Sequence, residues 1–227
     1  MFDALYLSPH FDDAVLSCGA QIWDRTRRGE QVAVVTVCAA PQPAQLSPFA
    51  QLLHQRWREA GEFDRLSEDR RALTLLQATP FHLSIPDCIY RQGPQGEWLY
   101  DSEEDIFGEV SSVEDYLIEE LTTAFQLFEL KTEAAILIPY ALGNHVDHQI
   151  VKRAGEAWGR GGGRSFQYYA DYPYAAALPG GMGVSISAEG RRQKIEALRE
   201  YRSQLSTFWL NEAEMIAKVS QWLERVF

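Results

Sequence analysis

The chain has 227 residues, of which 46% are hydrophobic and 23% are charged. These values are close to the averages of globular proteins, which argues against disorder, collagen and a coiled coil. The 32 acidic and 21 basic residues give a formal net charge of −11. This balance argues against general binding to nucleic acids or anionic membranes, since both need an excess of Lys and Arg.

The cysteines and the N-terminus predict a cytoplasmic protein. Three widely spaced cysteines fit a reducing compartment, where thiols behave as small buried hydrophobic groups. The N-terminus lacks the basic region and cleavage site of a signal peptide. A membrane span needs about 18 apolar residues in a row, and the sequence contains no such run.

The first part of the chain predicts alternating strands and helices. The residues before 40 have the length of a parallel strand–helix–strand unit, and Gly29 ends the first helix. The second strand is rich in β-branched residues, as is typical of a strand buried on both faces. The predicted elements are strands 3–8, 31–38 and 81–85, and helices 14–28 and 54–78, the latter broken near Gly61.

The second part continues this alternation after an excursion over residues 89–112, which show no clear period. The predicted elements are helices 113–129, 146–158, 189–207 and 211–226, and strands 134–138, 165–172 and 183–187. Alternating strands and helices indicate an open α/β sheet. The absence of a linker-like segment predicts a single domain over residues 1–227.

Acidic residues are concentrated in one segment. Residues 97–120 contain ten acids and no Lys or Arg, so the remaining 22 acids and 21 bases nearly balance. No calcium-binding loop spacing occurs there. We therefore predict that this segment is a solvated loop and helix face.

Two clusters of histidines and carboxylates follow predicted strands. Residues 8–13 (SPHFDD) come directly after the first strand, and residues 143–148 (GNHVDH) come shortly after strand 134–138. Ligands bind beyond the carboxyl ends of the strands in such sheets. His nitrogen and Asp oxygen are zinc ligands, although iron or cobalt also suits them. Either motif alone fits helix capping or an ordinary helical pair, whereas both at strand ends favour a divalent metal site.

These motifs carry a resemblance to a known family. Residues 10–13 (HFDD) resemble the HPDD motif of the PIG-L/LmbE-like deacetylases, and residues 145–148 (HVDH) resemble their HPDH motif. Looser matches at residues 65–68, 86–87 and 194–204 extend the resemblance over residues 3–205. It implies a Rossmann-like, mostly parallel sheet flanked by helices. The acidic excursion near residues 89–112, which the composition predicts, would be part of this single domain.

The resemblance also implies a zinc-dependent hydrolase that removes N-acetyl groups, often from N-acetylglucosamine conjugates. The expected partner is a small-molecule substrate, and the oligomeric state is left open, including a homo-oligomer. Fe²⁺ or another divalent metal could replace zinc. The resemblance implies that His10, Asp13 and His148 bind the metal and that Asp12 is the general base, which deprotonates the metal-bound water. It implies that His145 stabilises the oxyanion or protonates the amine and that Asp147 orients His145. Arg65 would bind polar groups of the substrate.

Three departures from the family motifs leave alternatives open. Phe11 and Val146 replace prolines, and Ala14 replaces an acid that commonly follows the two aspartates. We expect the Phe11 ring to line the mouth of the site. The alternative functions are a metal hydrolase of another amide or acylated small molecule, and a non-catalytic ligand-binding member of the fold. The remaining histidines, His54 and His82, have no acidic neighbour in the sequence and are predicted to be structural.

Overall fold

The computed structural model describes residues 1–58, 64–177 and 179–227. Within these residues, seven strands form one sheet in the order β3-β2-β1-β4-β5-β7-β6. The first five of these pair in parallel, and β7 runs antiparallel between β5 and β6. In chain order the strands are β1 (Phe2–Ser8), β2 (Val32–Thr36), β3 (Thr79–His82), β4 (Leu130–Pro139), β5 (Gln167–Tyr169), β6 (Met182–Gly183) and β7 (Arg225–Val226).

Helices cover both faces of the sheet, so the expected α/β architecture with a mostly parallel sheet is confirmed. Alternate side chains of β1 enter two separate cores, with Tyr6 on one face and Leu5 and Leu7 on the other. On the Tyr6 face pack α1 (Asp13–Arg27), α3 (Arg65–Leu75), α7 (Ala188–Leu198) and α9 (Glu212–Gln221). On the Leu5 face pack α5 (Tyr116–Phe125) and α6 (Val146–Gly161).

The described residues contain three further α-helices: α2 (Pro48–Arg58), α4 (Glu103–Ile106) and α8 (Arg202–Phe208). The predicted helix 54–78 is therefore two helices, and the break predicted at Gly61 lies outside the described residues. The predicted helix 189–207 is also two helices, α7 and α8. Within the described ranges, no helix has the length and apolar character needed to cross a bilayer.

The C-terminal helix prediction 211–226 is wrong beyond Gln221, because residues 225–226 form β7. The cause is a tertiary contact at Glu224. Its carboxylate is buried, lies 2.9 Å from the Lys194 ammonium, and accepts the backbone N–H groups of Ala20 and Gln21. These contacts fix the last residues against α1, so the helix ends at Gln221 although the local sequence favours its continuation.

The acidic segment 97–120 is solvated as predicted, with one exception. Nine of its ten acids are exposed, but Glu114 is buried. Its carboxylate accepts a 2.5 Å hydrogen bond from the Tyr100 hydroxyl and lies 2.5 Å from Arg91 Nε. Glu114 thereby fixes this segment to Arg91, which also contacts Asp147 of the second histidine motif.

Candidate active site

The two histidine motifs meet because β1 and β4 are neighbours in the sheet. Their carboxyl ends lie at the same edge, so the loops that follow them converge. His10 Nε2 is 2.9 Å from Asp147 Oδ2, although the two residues are 137 positions apart in the chain. The site expected at the strand ends is therefore assembled from both motifs.

Local hydrogen bonds shape the first motif. The Ser8 hydroxyl donates to the His10 carbonyl at 2.6 Å and accepts from the Ala14 backbone N–H at 3.0 Å. The turn therefore leads directly into α1, with Asp13 as its first residue. Ala14 is buried in the core, where an acid would meet apolar neighbours.

The second motif begins α6 after a tight turn. Gly143 has φ +87°, and a Cβ there would lie 2.5 Å from the Tyr174 ring. Glycine therefore suits this position both conformationally and sterically. The turn delivers His145 to the N-cap of α6 and places Asp147 and His148 in its first turn.

His10, Asp13 and His148, the ligand triad, form a candidate metal site. Each offers one ligand atom, and the three atoms lie within 4.8 Å of one another. Asp13 Oδ2 is 3.1 Å from His10 Nδ1 and 3.3 Å from His148 Nε2. Two imidazoles and one carboxylate are a donor set that zinc and non-haem iron both use, so these residues fit a divalent cation.

The electrostatics of the ligand triad also favour a cation. Burial opposes charge on Asp13, yet His148 and His10 hold the pKa of its carboxyl well below the usual value. Burial likewise disfavours a charged His148, yet Asp13 and Asp171 raise the pKa of that imidazole to about 9. The carboxylates therefore stabilise positive charge at this point. A divalent cation would replace the proton there.

Buried residues behind the triad fix its geometry. His148 Nδ1 is 2.9 Å from Asp171 Oδ1, and Asp171 also accepts the Leu142 backbone N–H at 3.2 Å. A carboxylate on the far nitrogen of a ligand histidine sets its tautomer and ring orientation. Asp171 was not identified from the sequence. Its only available indication was its position at the end of predicted strand 165–172.

Asp147 supports the site through different contacts from those predicted. Its fully buried carboxylate lies 2.9 Å from His10 Nε2 and 2.5 Å from Arg91 Nη1, and accepts the Cys88 backbone N–H at 3.0 Å. The contact with His145 is made by the Asp147 backbone N–H, which donates to Nδ1 at 3.3 Å. Arg91 was missed because it lies in a segment without periodicity, 56 residues before its partner.

Asp12 faces the cavity beside the ligand triad without joining it. It precedes α1, yet its side chain makes no capping hydrogen bond, so the carboxylate is available to a ligand. Burial, followed by the negative charge of Asp13, raises the pKa of the Asp12 carboxyl to about 6. A carboxylate with such a pKa can accept a proton near neutral pH.

His145 lies across the same cavity, with its ring centre 4.9 Å from that of His10. A backbone N–H bonds to its Nδ1, so Nδ1 carries no proton and the ring proton is on Nε2. Burial, and then the neighbouring His10, lower the pKa of His145 to about 3. His145 is therefore a neutral hydrogen-bond donor.

Arg65 is held at the cavity wall by two aromatic rings. Its guanidinium carbon is 5.2 Å from the centre of the Phe11 ring and 4.8 Å from that of Trp57, and Nη1 is 3.5 Å from Asp87 Oδ2. Its Nε is buried with no hydrogen-bond partner among the described residues. Phe11 is 7% exposed and packs beneath Arg65, so the expectation that its ring lines the mouth is wrong.

These residues surround a cavity of about 330 Å³, the site cavity. Apolar side chains form much of its wall, as is usual for small-molecule sites. Six of the seven predicted site residues line it: His10, Asp12, Asp13, Arg65, His145 and His148. Asp147 lies behind them. Of the two histidines predicted to be structural, His82 has an acidic partner after all, because its Nε2 is 2.7 Å from Asp69 Oδ2 on α3.

The chain is similar to several known deacetylases. The chain is 28% identical to 2'-N-acetylparomamine deacetylase from Niallia circulans over 237 residues, covering 92% of this chain and 83% of the relative. The crystal structure of the zinc-inhibited form of teicoplanin deacetylase Orf2 is 30% identical with a TM-score of 0.80, over 95% of this chain and 89% of that chain. A deacetylase–bog complex from the teicoplanin biosynthesis pathway is 29% identical with a TM-score of 0.81, over 98% and 96% of the two chains.

The family comparison covers both histidine motifs. Residues 5–158 match the model of the family described as PIG-L, GlcNAc-PI de-N-acetylase. The match spans more than half of the chain and extends from β1 through most of α6. With the two motifs joined at one site, this protein is a member of the PIG-L family.

Proposed function

We propose that this protein is a metal-dependent N-deacetylase that hydrolyses the acetamide of an N-acetylated amino sugar. The observation that carries the proposal is the placement of Asp12 and His145 on the same cavity as the ligand triad. A protein that only binds a ligand needs neither a base nor an oxyanion donor. The names of the relatives, a 2'-N-acetylparomamine deacetylase and a deacetylase of the teicoplanin biosynthesis pathway, support the same reaction.

His10, Asp13 and His148 would hold the metal. When bound there, zinc or another divalent cation would supply Lewis acidity that polarises the acetyl carbonyl and eases ionisation of water. A similar deacetylase has a zinc-inhibited form. The test must therefore compare zinc, iron and cobalt.

The protein residues supply the proton transfers. Asp12 takes a proton from the attacking water and later delivers it to the amine nitrogen, so a C–O bond forms while the C–N bond breaks. Acetate and a free amino sugar are the products. A carboxyl with a pKa near 6 suits both directions of transfer.

His145 stabilises the charge that develops on the acetyl oxygen. Its Nε2–H is the free donor because Nδ1 is occupied by the Asp147 backbone N–H. A donor that is fixed before the reaction stabilises this charge without reorganisation, and removing one such group typically reduces kcat by about 10²–10³-fold. Arg65, fixed between its aromatic neighbours, is proposed to bind a substrate hydroxyl or carbonyl.

The proposal is tested with purified protein loaded separately with zinc, iron(II) or cobalt(II) and assayed against a panel of N-acetylated amino sugars. We expect about one bound ion per chain and equal amounts of acetate and free amine. The His148→Ala variant should lose the ion, whereas His54→Ala, the matched control, should keep it. Cleavage of other amides alone would identify a different amidohydrolase. Absence of all cleavage in every metal-loaded form would contradict the proposal.

A further inference from the structure

A second group of candidate metal ligands lies behind the site cavity. Cys88, His145 and Asp147, the inner group, each offer one ligand atom, and the three atoms lie within 4.8 Å of one another. Another combination, His10, Cys38 and Asp147, meets the same distance limit, but it uses His10 and would compete with the ligand triad. Of these two combinations in the described residues, the inner group is the one that can bind an ion while the triad is filled.

Separate elements deliver the three side chains of the inner group to one place. Cys88 comes shortly after β3 and begins a single helical turn (Cys88–Tyr90), whereas His145 and Asp147 lie at the start of α6. The Cys88 backbone N–H donates to Asp147 Oδ2 at 3.0 Å, and the Asp147 backbone N–H donates to His145 Nδ1 at 3.3 Å. These bonds hold the three residues together before an ion arrives, which reduces the entropic cost of binding.

The surrounding charges allow a divalent cation at the inner group. Arg91 Nε lies 2.5 Å from Glu114 Oε1, so these two residues balance each other. Asp147 and a Cys88 thiolate would then carry two negative charges, which a divalent ion neutralises. Arg91 also lies 2.5 Å from Asp147, which makes a cation less favourable here than at the ligand triad. We therefore expect the inner group to fill after the triad.

The sulfur ligand selects the kind of ion. Thiolates prefer borderline and soft ions such as Zn²⁺ and Cd²⁺, whereas Mg²⁺ and Ca²⁺ prefer oxygen ligands. Burial, followed by the negative charge of Asp147, raises the pKa of the Cys88 thiol well above its usual value. An ion must therefore displace the thiol proton, which favours strongly thiophilic ions. The thiol donates to Asp87 Oδ1 at 3.6 Å, and Asp87 lines the site cavity, which gives the proton a route to solvent.

We propose that Cys88, His145 and Asp147 form a second metal site, which takes a thiophilic divalent ion. Binding forms a metal–sulfur bond in place of the S–H bond of Cys88, releases one proton and changes no oxidation state. The ion enters from the site cavity, because His145 lines it.

A second ion at this site should inhibit catalysis. Coordination would fix His145 to the ion and reduce its ability to stabilise the charge on the acetyl oxygen. This consequence rests on the proposed function, whereas the binding of the ion does not.

The binding test uses the full-length protein and Cd²⁺ alone. Metal-free protein titrated with Cd²⁺ should fill the ligand triad first, and the triad contains no sulfur. A thiolate-to-cadmium charge-transfer band in the ultraviolet should therefore grow with the second equivalent of Cd²⁺. Cys88→Ser should lose both the band and the second bound ion but keep the first. Cys88→Ala, which has no ligand atom in its side chain, should behave in the same way and provides a second variant if one folds poorly.

Two other cysteine variants make the binding test specific. Cys18→Ser is the matched control, because Cys18 is also buried but lies on α1, outside both sulfur-containing combinations. It should keep the band and the second ion. Absence of the band from wild-type protein at saturating Cd²⁺ would overturn the proposal. A band that persists in Cys88→Ser and is lost in Cys38→Ser would also overturn it, because the ion would then belong to the other combination.

The inhibition test adds Cd²⁺ to zinc-loaded protein during turnover. Exchange of Cd²⁺ at the ligand triad affects wild-type protein and Cys88→Ser alike, so the difference between them reports on the inner group. We expect the Cd²⁺ concentration that halves the rate to rise by about tenfold or more in Cys88→Ser, the scale on which metal affinity responds to losing a supporting residue. Equal inhibition of both proteins would overturn the inhibitory role. If the wild-type protein deacetylates no substrate, the proposed function fails, and the cadmium band still decides the second metal site.

Discussion

Replacing Arg91 with methionine should destabilise the protein strongly. Its guanidinium lies between two buried carboxylates, with Nη1 2.5 Å from Asp147 Oδ1 and Nε 2.5 Å from Glu114 Oε1. Methionine keeps much of the length of the side chain but removes the charge, so Glu114 loses the cation it contacts and Asp147 keeps only its contact with His10. Breaking a buried pair in this way costs about 3–5 kcal/mol. The two losses should not simply add, because the Cys88 N–H and the Tyr100 hydroxyl still reach the acids.

The quantity to measure is the free energy of unfolding in urea, for metal-free protein, so that metal binding does not contribute. Arg91→Lys keeps a positive charge and should lose less stability. Arg160→Met is the exposed control, since the Arg160 pair with Glu156 lies on the surface and should be worth about 0–1 kcal/mol. If Arg91→Met lost no more than Arg160→Met, the assignment of Arg91 as the stabilising partner of Asp147 would be refuted.

Three further predictions follow from single contacts of the site. Asp171→Asn should weaken metal binding by about 10–100-fold, because it removes the carboxylate that fixes His148; an unchanged dissociation constant in a chelator competition would contradict this. Gly143→Ala should destabilise the protein by about 1–2 kcal/mol because of its positive φ, and should raise KM by displacing Tyr174; calorimetry and steady-state kinetics measure the two effects. Activity should fall as the pH drops through about 6 or slightly below, because Asp12 must be deprotonated and a bound cation would partly offset the rise in its pKa; an acid limb of kcat/KM above pH 7 would be inconsistent with Asp12 as the base.

Much of the site could be predicted because each histidine motif follows an apolar run that is recognisable as a strand. The run before Pro9 and the run before Tyr140 are both apolar, so each motif could be placed at a strand end. Parallel pairing then brings the ends of β1 and β4 together. The position of each motif relative to its own strand was sufficient for this part of the fold.

The supporting residues could not be predicted in the same way, because their partners are distant in sequence. Arg91 is 56 residues from Asp147, and Asp171 is 23 residues from His148. Neither pair leaves a local pattern. Glu224 shows the same limit for the fold, since its contact with Lys194 and α1 places a strand where the local sequence favours a helix. Such pairings depend on packing that only the complete fold provides.

In the proposed mechanism, Asp12 acts as the base beside a metal held by His10, Asp13 and His148. The most direct test is the deacetylation rate of Asp12→Asn, measured together with its metal content. The substitution keeps the shape of the side chain and leaves the ligand triad intact. We predict wild-type metal content, about one ion per chain, with a rate reduced by about 10²–10⁴-fold. A fully loaded Asp12→Asn protein that deacetylates at the wild-type rate would contradict the mechanism.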